Sequence, residues 1–255
     1  MANQVEYVQS LDRGLAVIRC FSESRQRLTI ADIAREANLT RATARRFLHT
    51  LQHLGYVGMT DGRFYLRPRI LELGYAYLSS VSITEIAQEH LVPLADRLHE
   101  SCSASVLDER DIVYIARAQT KRIMTVALAV GSRLPAYATS MGRVLLAGLS
   151  KEELAAYLTS VKLERLTEAT ITNKRQLRAV LAEVAAAGYC VIDQELEPGV
   201  RSVAAPVHDA SGRVVAAVNV SAHASRVPME RLHAEFVPAL RQAARDIEAD
   251  LRSRR

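Results

Sequence analysis

Between Leu28 and Thr60 this 255-residue chain reads LTIADIAREANLTRATARRFLHTLQHLGYVGMT, a pattern that few local folds accommodate. Ile30, Ile33, Ala34 and Ala37 recur at the three-and-four spacing of a short helix with one buried stripe. Thr29 is placed to cap that helix, with Asp32 three residues on as a weak capping box. Asn38 falls where the chain must turn, and Asn tolerates the left-handed conformation. Thr40 then caps a second helix, whose apolar face is Ala44, Phe47, Leu48 and Leu51. At about 100° per residue, Ala42, Arg45, Arg46, His49 and His53 point the opposite way, and Arg41 and Thr43 flank them near the helix start. The small Ala34 lets the two helices approach closely. This is the pattern of a helix-turn-helix, whose second helix presents its N-terminal residues to base edges in DNA.

An arginine-bearing helix face is by itself an ordinary solvated face, and many helix pairs bind nothing. Here, however, the apolar, small and turn positions fall in register together, and a hairpin follows. Gly58 to Leu66 (GMTDGRFYL) carries an Asp-Gly turn between two short strands, so the module reads as a winged helix-turn-helix. Its candidate DNA contacts are Thr40, Arg41, Thr43, Arg45, Arg46 and His49 on the second helix and Arg63 on the wing. Charge is placed accordingly. Residues 1–80 hold eleven arginines, no lysine and seven acidic residues, an excess of +4, whereas the remainder holds 22 basic and 21 acidic residues, an excess of +1. Attraction to phosphate needs that bias near the reading helix.

A helix over Val8–Glu23, capped by Ser10 and facing inward through Leu11, Leu15, Ile18 and Cys20, is expected to complete the small core. After the wing, Pro68–Ser80 reads as a linker helix that is apolar on more than one face. Ile70, Leu71, Leu73, Tyr75, Tyr77 and Leu78 suit it to packing against a second subunit. The expected domains are therefore 1–67, a 68–80 linker, and 81–255. In the last of these, Ser82 and Glu85 form a capping box for a helix running to about Glu100 with Pro93 kinking it. Strands are expected at Ala104–Leu107, Ile112–Ala116 and Arg122–Ala129, then a loop at Gly131–Thr139 and a helix at Met141–Leu149 capped by Ser140. Helices at Lys151–Leu158 and Asn173–Ala187 lead to a strand at Tyr189–Asp193 and an irregular loop at Gln194–Ser202. Strands at Val203–His208 and Val214–Val220 and a helix at Arg226–Arg254 close the chain. Hairpins mixed with helices predict an α+β domain with a largely antiparallel sheet.

Several classes of function find no support. No run approaches the roughly 18 apolar residues of a membrane span, and the N-terminus lacks the pattern of a secretory signal, so a cytoplasmic protein is expected. Cys20, Cys102 and Cys190 are far apart and read as core residues. Phosphate-loop, dinucleotide, serine-elbow and zinc-protease motifs are missing, and the histidines lack ligand spacing, with His208 and His223 reading as surface or edge residues. No catalytic residue, metal or cofactor is implied. A binding site has more to stand on. Ser140, Met141 and Gly142 place small residues at a helix start, where backbone N–H groups and the helix dipole favour a carboxylate. An ordinary capped helix explains the same residues equally well. Asp193, Ser202, Asn219 and Ser221 lie at strand ends and either line the same cavity or serve as turn and edge residues.

The blocks YVQSLDRGLAVIRCF, LTIADIAREANLTRATARRFLHTLQHLGYV, LPAYATSMGRVLLAGL and GVRSVAAPVHDASGRVVAAVNVSA, with the wing ending in Arg63–Leu66, resemble the IclR family of transcriptional regulators over essentially the whole chain. VQSLDRGLAVI, LELGYAYLSS and PAYATSMGRVLLAGL further resemble the branch that controls aromatic catabolism through the β-ketoadipate pathway (PcaR-, PcaU- and PobR-like regulators). The resemblance implies a winged helix-turn-helix, a linker helix and a GAF-like domain that binds a small acid, β-ketoadipate or a related metabolite. It implies a dimer or tetramer on palindromic operators, with RNA polymerase as a further partner if the protein activates. It also carries Ser140, Met141, Gly142, Asp193, Ser202, Asn219 and Ser221 over to the effector pocket. Two alternatives stand beside it. One is a repressor of another carbon-metabolism operon with a different acid effector, and the other is a sensor or enzyme whose helix-turn-helix is a protein-interaction module.

Overall fold

Thr29 starts the reading module as its spacing predicts. Its hydroxyl accepts from the Asp32 N–H (3.2 Å), and the Asp32 carboxylate accepts from the Thr29 N–H (3.0 Å) and hydroxyl (2.7 Å). This full capping box holds the Asp32 carboxyl below its usual range and opens α2 (Ile30–Glu36). Asn38 takes the left-handed conformation at φ 52°, and Thr40 caps α3 (Arg41–His53) through the Thr43 N–H. The hairpin of β1 (Val57–Thr60) and β2 (Arg63–Leu66) turns through Asp61 and Gly62, both at positive φ, the geometry of a tight Asp-Gly turn. Leu28 adds a bridge to the wing by exchanging backbone hydrogen bonds with Phe64.

The structure is a computed structural model that describes residues 7–22, 24–74, 83–119 and 128–254. The chain divides into two units, Met1–Ser80 and Val81–Arg255. In the first, α1 (Gln9–Arg19) begins without a side-chain cap at Val8, so Ser10 is an ordinary helical residue. The stripe that α1 buries also differs from expectation. Val17 and Cys20 are buried and Ile18 packs against the core, whereas Leu11 and Leu15 are exposed. The face of α1 that meets the core carries Val17, Ile18 and Cys20, and Gly14 sits beside the Phe47 ring, where a Cβ would make ordinary contact at 3.8 Å. Past the wing, a 3-10 turn at Pro68–Ile70 leads into helical residues 71–74, where Leu71 and Leu73 are exposed. Tyr75, Tyr77, Leu78 and Ser82 lie outside the described residues, as do residues 122–127 of the expected third strand.

The second unit is one antiparallel sheet with helices on both faces. Its strands are β3 (Ser101–Asp108), β4 (Asp111–Ala118), β5 (Arg133–Pro135), β6 (Cys190–Asp193), β7 (Val200–His208) and β8 (Val214–His223), in the order β5-β4-β3-β8-β7-β6. One face packs on α4 (Ile83–Leu98) and on the closing helix, through Ile86, Leu91, Val218, Phe236 and Leu240. The other packs on α5 (Ser140–Ala147), α6 (Lys151–Ser160) and α7 (Lys174–Ala187), through Tyr114, Met141, Leu146, Leu177 and Ile192. The whole chain is α+β.

Several boundaries move for identifiable reasons. The expected 131–139 loop contains strand β5 and a 3-10 turn, Ala136–Ala138, because Leu134 pairs with Ile112 on β4. Thr139, not Ser140, caps α5, its hydroxyl accepting from the Gly142 N–H at 3.1 Å. Strand β7 begins at Val200, so Ser202 lies in the sheet opposite Ser221 rather than in a loop. The closing helix starts at Met229 after Pro228 and passes through a π-turn, Leu232–Phe236, before α8 (Val237–Ser253). All three cysteines are buried and free, and burial pushes the Cys102 and Cys190 thiols up to about 12, which leaves them protonated and unreactive.

Candidate functional site

Small side chains on one face of the central strands leave room that larger ones would fill. Ser202, Asn219 and Ser221 lie on β7 and β8, and Ser140 and Met141 at the start of α5 face them. The result is a cavity of about 280 Å³, walled by Tyr114, Leu128, Leu134, Met141, Ile192 and Leu196 and carrying a few polar groups. Apolar walls with sparse, convergent polar groups are the usual make-up of a small-molecule site.

Five of the seven expected pocket residues meet there: Ser140, Met141, Ser202, Asn219 and Ser221. They are tied across the sheet and helix, with the Ser202 hydroxyl donating to Ser140 Oγ at 2.9 Å and the Ser105 hydroxyl to Met141 Sδ at 3.3 Å. Gly142 and Asp193 do not line the cavity. Gly142 is a packing glycine, since a Cβ there would lie 2.1 Å from the Ala136 carbonyl oxygen. Asp193 turns to Arg201, pairing at 2.9 and 2.8 Å, and that guanidinium holds its carboxyl below the usual range. The expected carboxylate cradle at the helix start is also partly filled from within, because Thr139 takes the Gly142 N–H.

The group most relevant to an acid was not singled out from sequence. Arg117 of β4 lines the cavity, half-buried, with Nη1 donating to Ser103 Oγ at 3.4 Å and Nε buried without a partner. It has no acidic partner among the described residues, and burial lowers its pKa. A guanidinium in that condition favours an incoming anion. Beside it, burial pushes the Tyr114 phenol up to about 12, so it stays a neutral hydroxyl at neutral pH. The signal was present in the sequence: Arg117 interrupts the apolar run IVYIARA, where a charge needs a reason. Glu197 also lines the cavity, on a segment held by a buried ion pair. The Arg143 guanidinium meets Glu195 at 2.7 and 2.6 Å, and Glu195 also accepts from the Ile171 N–H.

In the first unit, α3 exposes Arg41, Arg45, Arg46 and His49, and the wing exposes Arg63. None of the α3 arginines forms an ion pair among the described residues, although Arg45 donates to His49 Nε2 at 3.4 Å, and Arg63 lies near enough to Asp32 to help lower its pKa. Thr43 is half-buried, and its hydroxyl pairs with that of Thr40 at 2.8 Å. Among the described residues there is no group of three or more metal-ligating side chains, and no helix is long and apolar enough to cross a membrane.

Residues 10–59 match the IclR helix-turn-helix domain and residues 75–249 match the bacterial transcriptional regulator IclR C-terminal domain. The chain belongs to the IclR family of transcriptional regulators. It is 48% identical over 244 residues to the Pca regulon regulatory protein of Pseudomonas putida, covering 95% of this chain and 84% of that protein. Among solved structures, a Rhodococcus protein described as a transcriptional regulator superposes with a TM-score of 0.89 at 58% identity, covering 98% of this chain and 100% of that one. An IclR homologue from Microbacterium hydrocarbonoxydans, solved in complex with 4-hydroxybenzoate, superposes with a TM-score of 0.85 at 28% identity, covering 96% and 99%. In this IclR-family chain the exposed arginines of α3 and the cavity beside Arg117 both offer groups for a regulator's chemistry.

Proposed function

We propose that this chain controls an operon of aromatic-acid catabolism, with residues 1–67 reading the operator, residues 68–80 linking, and the cavity of residues 81–255 taking a small carboxylic acid. The observation that carries the effector reading is Arg117, a half-buried cation at the wall of an apolar cavity with no acidic partner among the described residues. A carboxylate supplies the missing acceptor and charge, and the surrounding walls accept a ring or short chain. The names of the Pseudomonas relative and of the Microbacterium complex support the aromatic branch. The acid acts on DNA binding only insofar as it binds two domain arrangements differently. The test is a thermal-shift titration with 4-hydroxybenzoate. At a hundredfold excess over Kd, bound ligand adds about 2.7 kcal/mol to stability. Arg117→Gln is expected to lose most of that rise, and an undiminished rise in this variant rejects Arg117 as the anchor.

For DNA, we assign Arg41, Thr43, Arg45 and Arg46 to the major groove and Arg63 to the adjacent backbone or minor groove. The exposed apolar stripe of Leu11 and Leu15 on α1, and Leu71 and Leu73 after the wing, support a homodimer that places two such helices on half-sites about 34 Å apart. Arg45→Ala and Arg46→Ala are each expected to weaken specific binding by about 1–3 kcal/mol if bidentate to guanine. A gel-shift titration checks this, and unchanged operator affinity in both variants removes α3 as the reader. Footprinting upstream of the protein's own gene separates a regulator, which protects a palindrome, from an enzyme or sensor using the module for protein contacts.

A further inference from the structure

The main chain of Arg117 is held by a side chain where a sheet would use a strand. Arg117 pairs with Ser103 on β3, but β5 pairs with β4 only at Asp111, Ile112 and Val113. Both backbone groups of Arg117 go instead to one amide, that of the half-buried Gln88 on α4. The Arg117 N–H donates to Gln88 Oε1 at 3.1 Å, and Gln88 Nε2 donates to the Arg117 carbonyl at 3.3 Å. The ladder itself leaves slack at this point. Ala104 pairs with Ala116 and Ser105 with Tyr114, so Ile115 is an extra residue in β4, and such a bulge disrupts the ladder beside it. The cavity and α4 lie on opposite faces of the sheet. Ile86, Ala87 and Leu91 of α4 pack on Ile115 and Ala116, whereas Tyr114 and Met141 of the cavity wall belong to the other face. Gln88 is thus where α4 reaches the backbone of a residue whose side chain lines the cavity.

We infer that Gln88 is the positioning residue for Arg117, and that the same two hydrogen bonds carry the binding of an acid from the cavity to α4. This rests on the carboxylate reading above and adds the link to the helix. A guanidinium that grips a carboxylate needs its own backbone in one place, and Gln88 supplies the constraint that the bulged ladder lacks. The amide can sit only one way round, because its oxygen accepts and its nitrogen donates. The link works in both directions, since a contact that strengthens ligand binding is itself strengthened by the ligand. In chain order α4 opens the second unit, so the acid alters the end of the unit at which the chain enters from the reading module. Two residues on, His90 bonds to Asp250 of the closing helix at 2.8 Å, and neither of these lines the cavity. Gln88 and His90 therefore separate a tie to the cavity from a tie that only packs the helix.

Calorimetric titration with 4-hydroxybenzoate and hydrogen exchange of the full-length protein test this. Gln88→Met keeps the length of the side chain and removes both hydrogen bonds. It is expected to weaken 4-hydroxybenzoate about tenfold, the worth of one to two net hydrogen bonds felt on binding. In wild type, saturating 4-hydroxybenzoate is expected to slow exchange in α4 at least about threefold, as a ligand that orders a segment does, and to slow the start of α5 as well. In Gln88→Met the slowing of α5 is expected to remain and that of α4 to disappear. His90→Leu is expected to melt lower but to keep both the affinity and the slowing of α4, which a general loosening of the helix would not. Melting without ligand establishes that each variant is folded. Gln88→Glu, which keeps the acceptor and loses the donor, takes the place of Gln88→Met if that variant does not fold. Wild-type α4 that exchanges equally with and without the acid overturns the inference, as does Gln88→Met with unchanged affinity or with the slowing of α4 intact. His90→Leu that reproduces both losses overturns it too, because the losses then belong to helix packing. If Arg117→Gln abolishes binding while Gln88→Met changes neither affinity nor α4 exchange, the carboxylate reading stands and this inference alone falls. If wild type does not bind 4-hydroxybenzoate, or Arg117→Gln binds it undiminished, both fall.

Discussion

Glu195→Ala is expected to destabilise the second unit by about 3–5 kcal/mol, the range for removing one partner of a buried ion pair. Arg143 is 2% exposed, with its two terminal nitrogens on the Glu195 carboxylate and Nε on the Tyr137 carbonyl at 2.9 Å. Without Glu195 the guanidinium keeps its burial and loses its countercharge, and the Ile171 N–H loses its acceptor as well. The pair as a whole is worth much less than this, because both charges were desolvated to form it. Arg143→Met with Glu195→Leu is therefore expected to recover most of the loss. Chemical denaturation followed through the tyrosines of the second unit measures both variants. A double variant as unstable as Glu195→Ala contradicts the desolvation argument. There is a functional consequence too, because Leu196 and Glu197 of the cavity wall directly follow Glu195. Ligand affinity is expected to fall in Glu195→Ala at temperatures where the unit is still folded.

Gly142→Ala is the second large effect. The added Cβ meets three backbone atoms of Ala136, the carbonyl oxygen at 2.1 Å, Cα at 2.4 Å and the carbonyl carbon at 2.6 Å. No rotamer change relieves contact with backbone, so α5 must separate from the Ala136–Ala138 turn. Overpacking of this kind costs about 1–3 kcal/mol, and more where the backbone cannot shift. The displacement would carry Ser140 and Met141 away from the sheet. Thermal melting with and without 4-hydroxybenzoate reads both consequences, a lower transition and a smaller ligand-induced rise. A variant that melts with wild type shows that the helix and turn can part freely, against the close packing described here.

Ser140, Met141 and Gly142 stood out as small residues at a helix start, but nothing local distinguishes a glycine that admits a ligand from one that admits a neighbouring turn. Asp193 looked available because its partner, Arg201, lies eight residues away on the adjacent strand, and only the β6–β7 register brings them together. The break that Arg117 makes in its apolar strand is local, but its role depends on side chains opposite it from strands far away in the chain.

In the first unit the balance is different. The capping box at Thr29, the turn at Asn38, the cap at Thr40 and the Asp-Gly turn of the wing are all interactions between residues within a few positions of each other, so spacing alone reveals them. The exception is α1, where two adjacent apolar stripes were available and packing in the small core selected Val17, Ile18 and Cys20 over Leu11 and Leu15. The sequence by itself thus determined the helix-turn-helix, the hairpin turns and the α+β class, because hydrogen bonds over three or four residues and apolar periodicity are local properties. Only the tertiary structure decided the cavity. Arg117, Asn219, Ser202 and Ser140 come from four separate elements, and strand pairing and helix packing across the sheet are what bring them to one space.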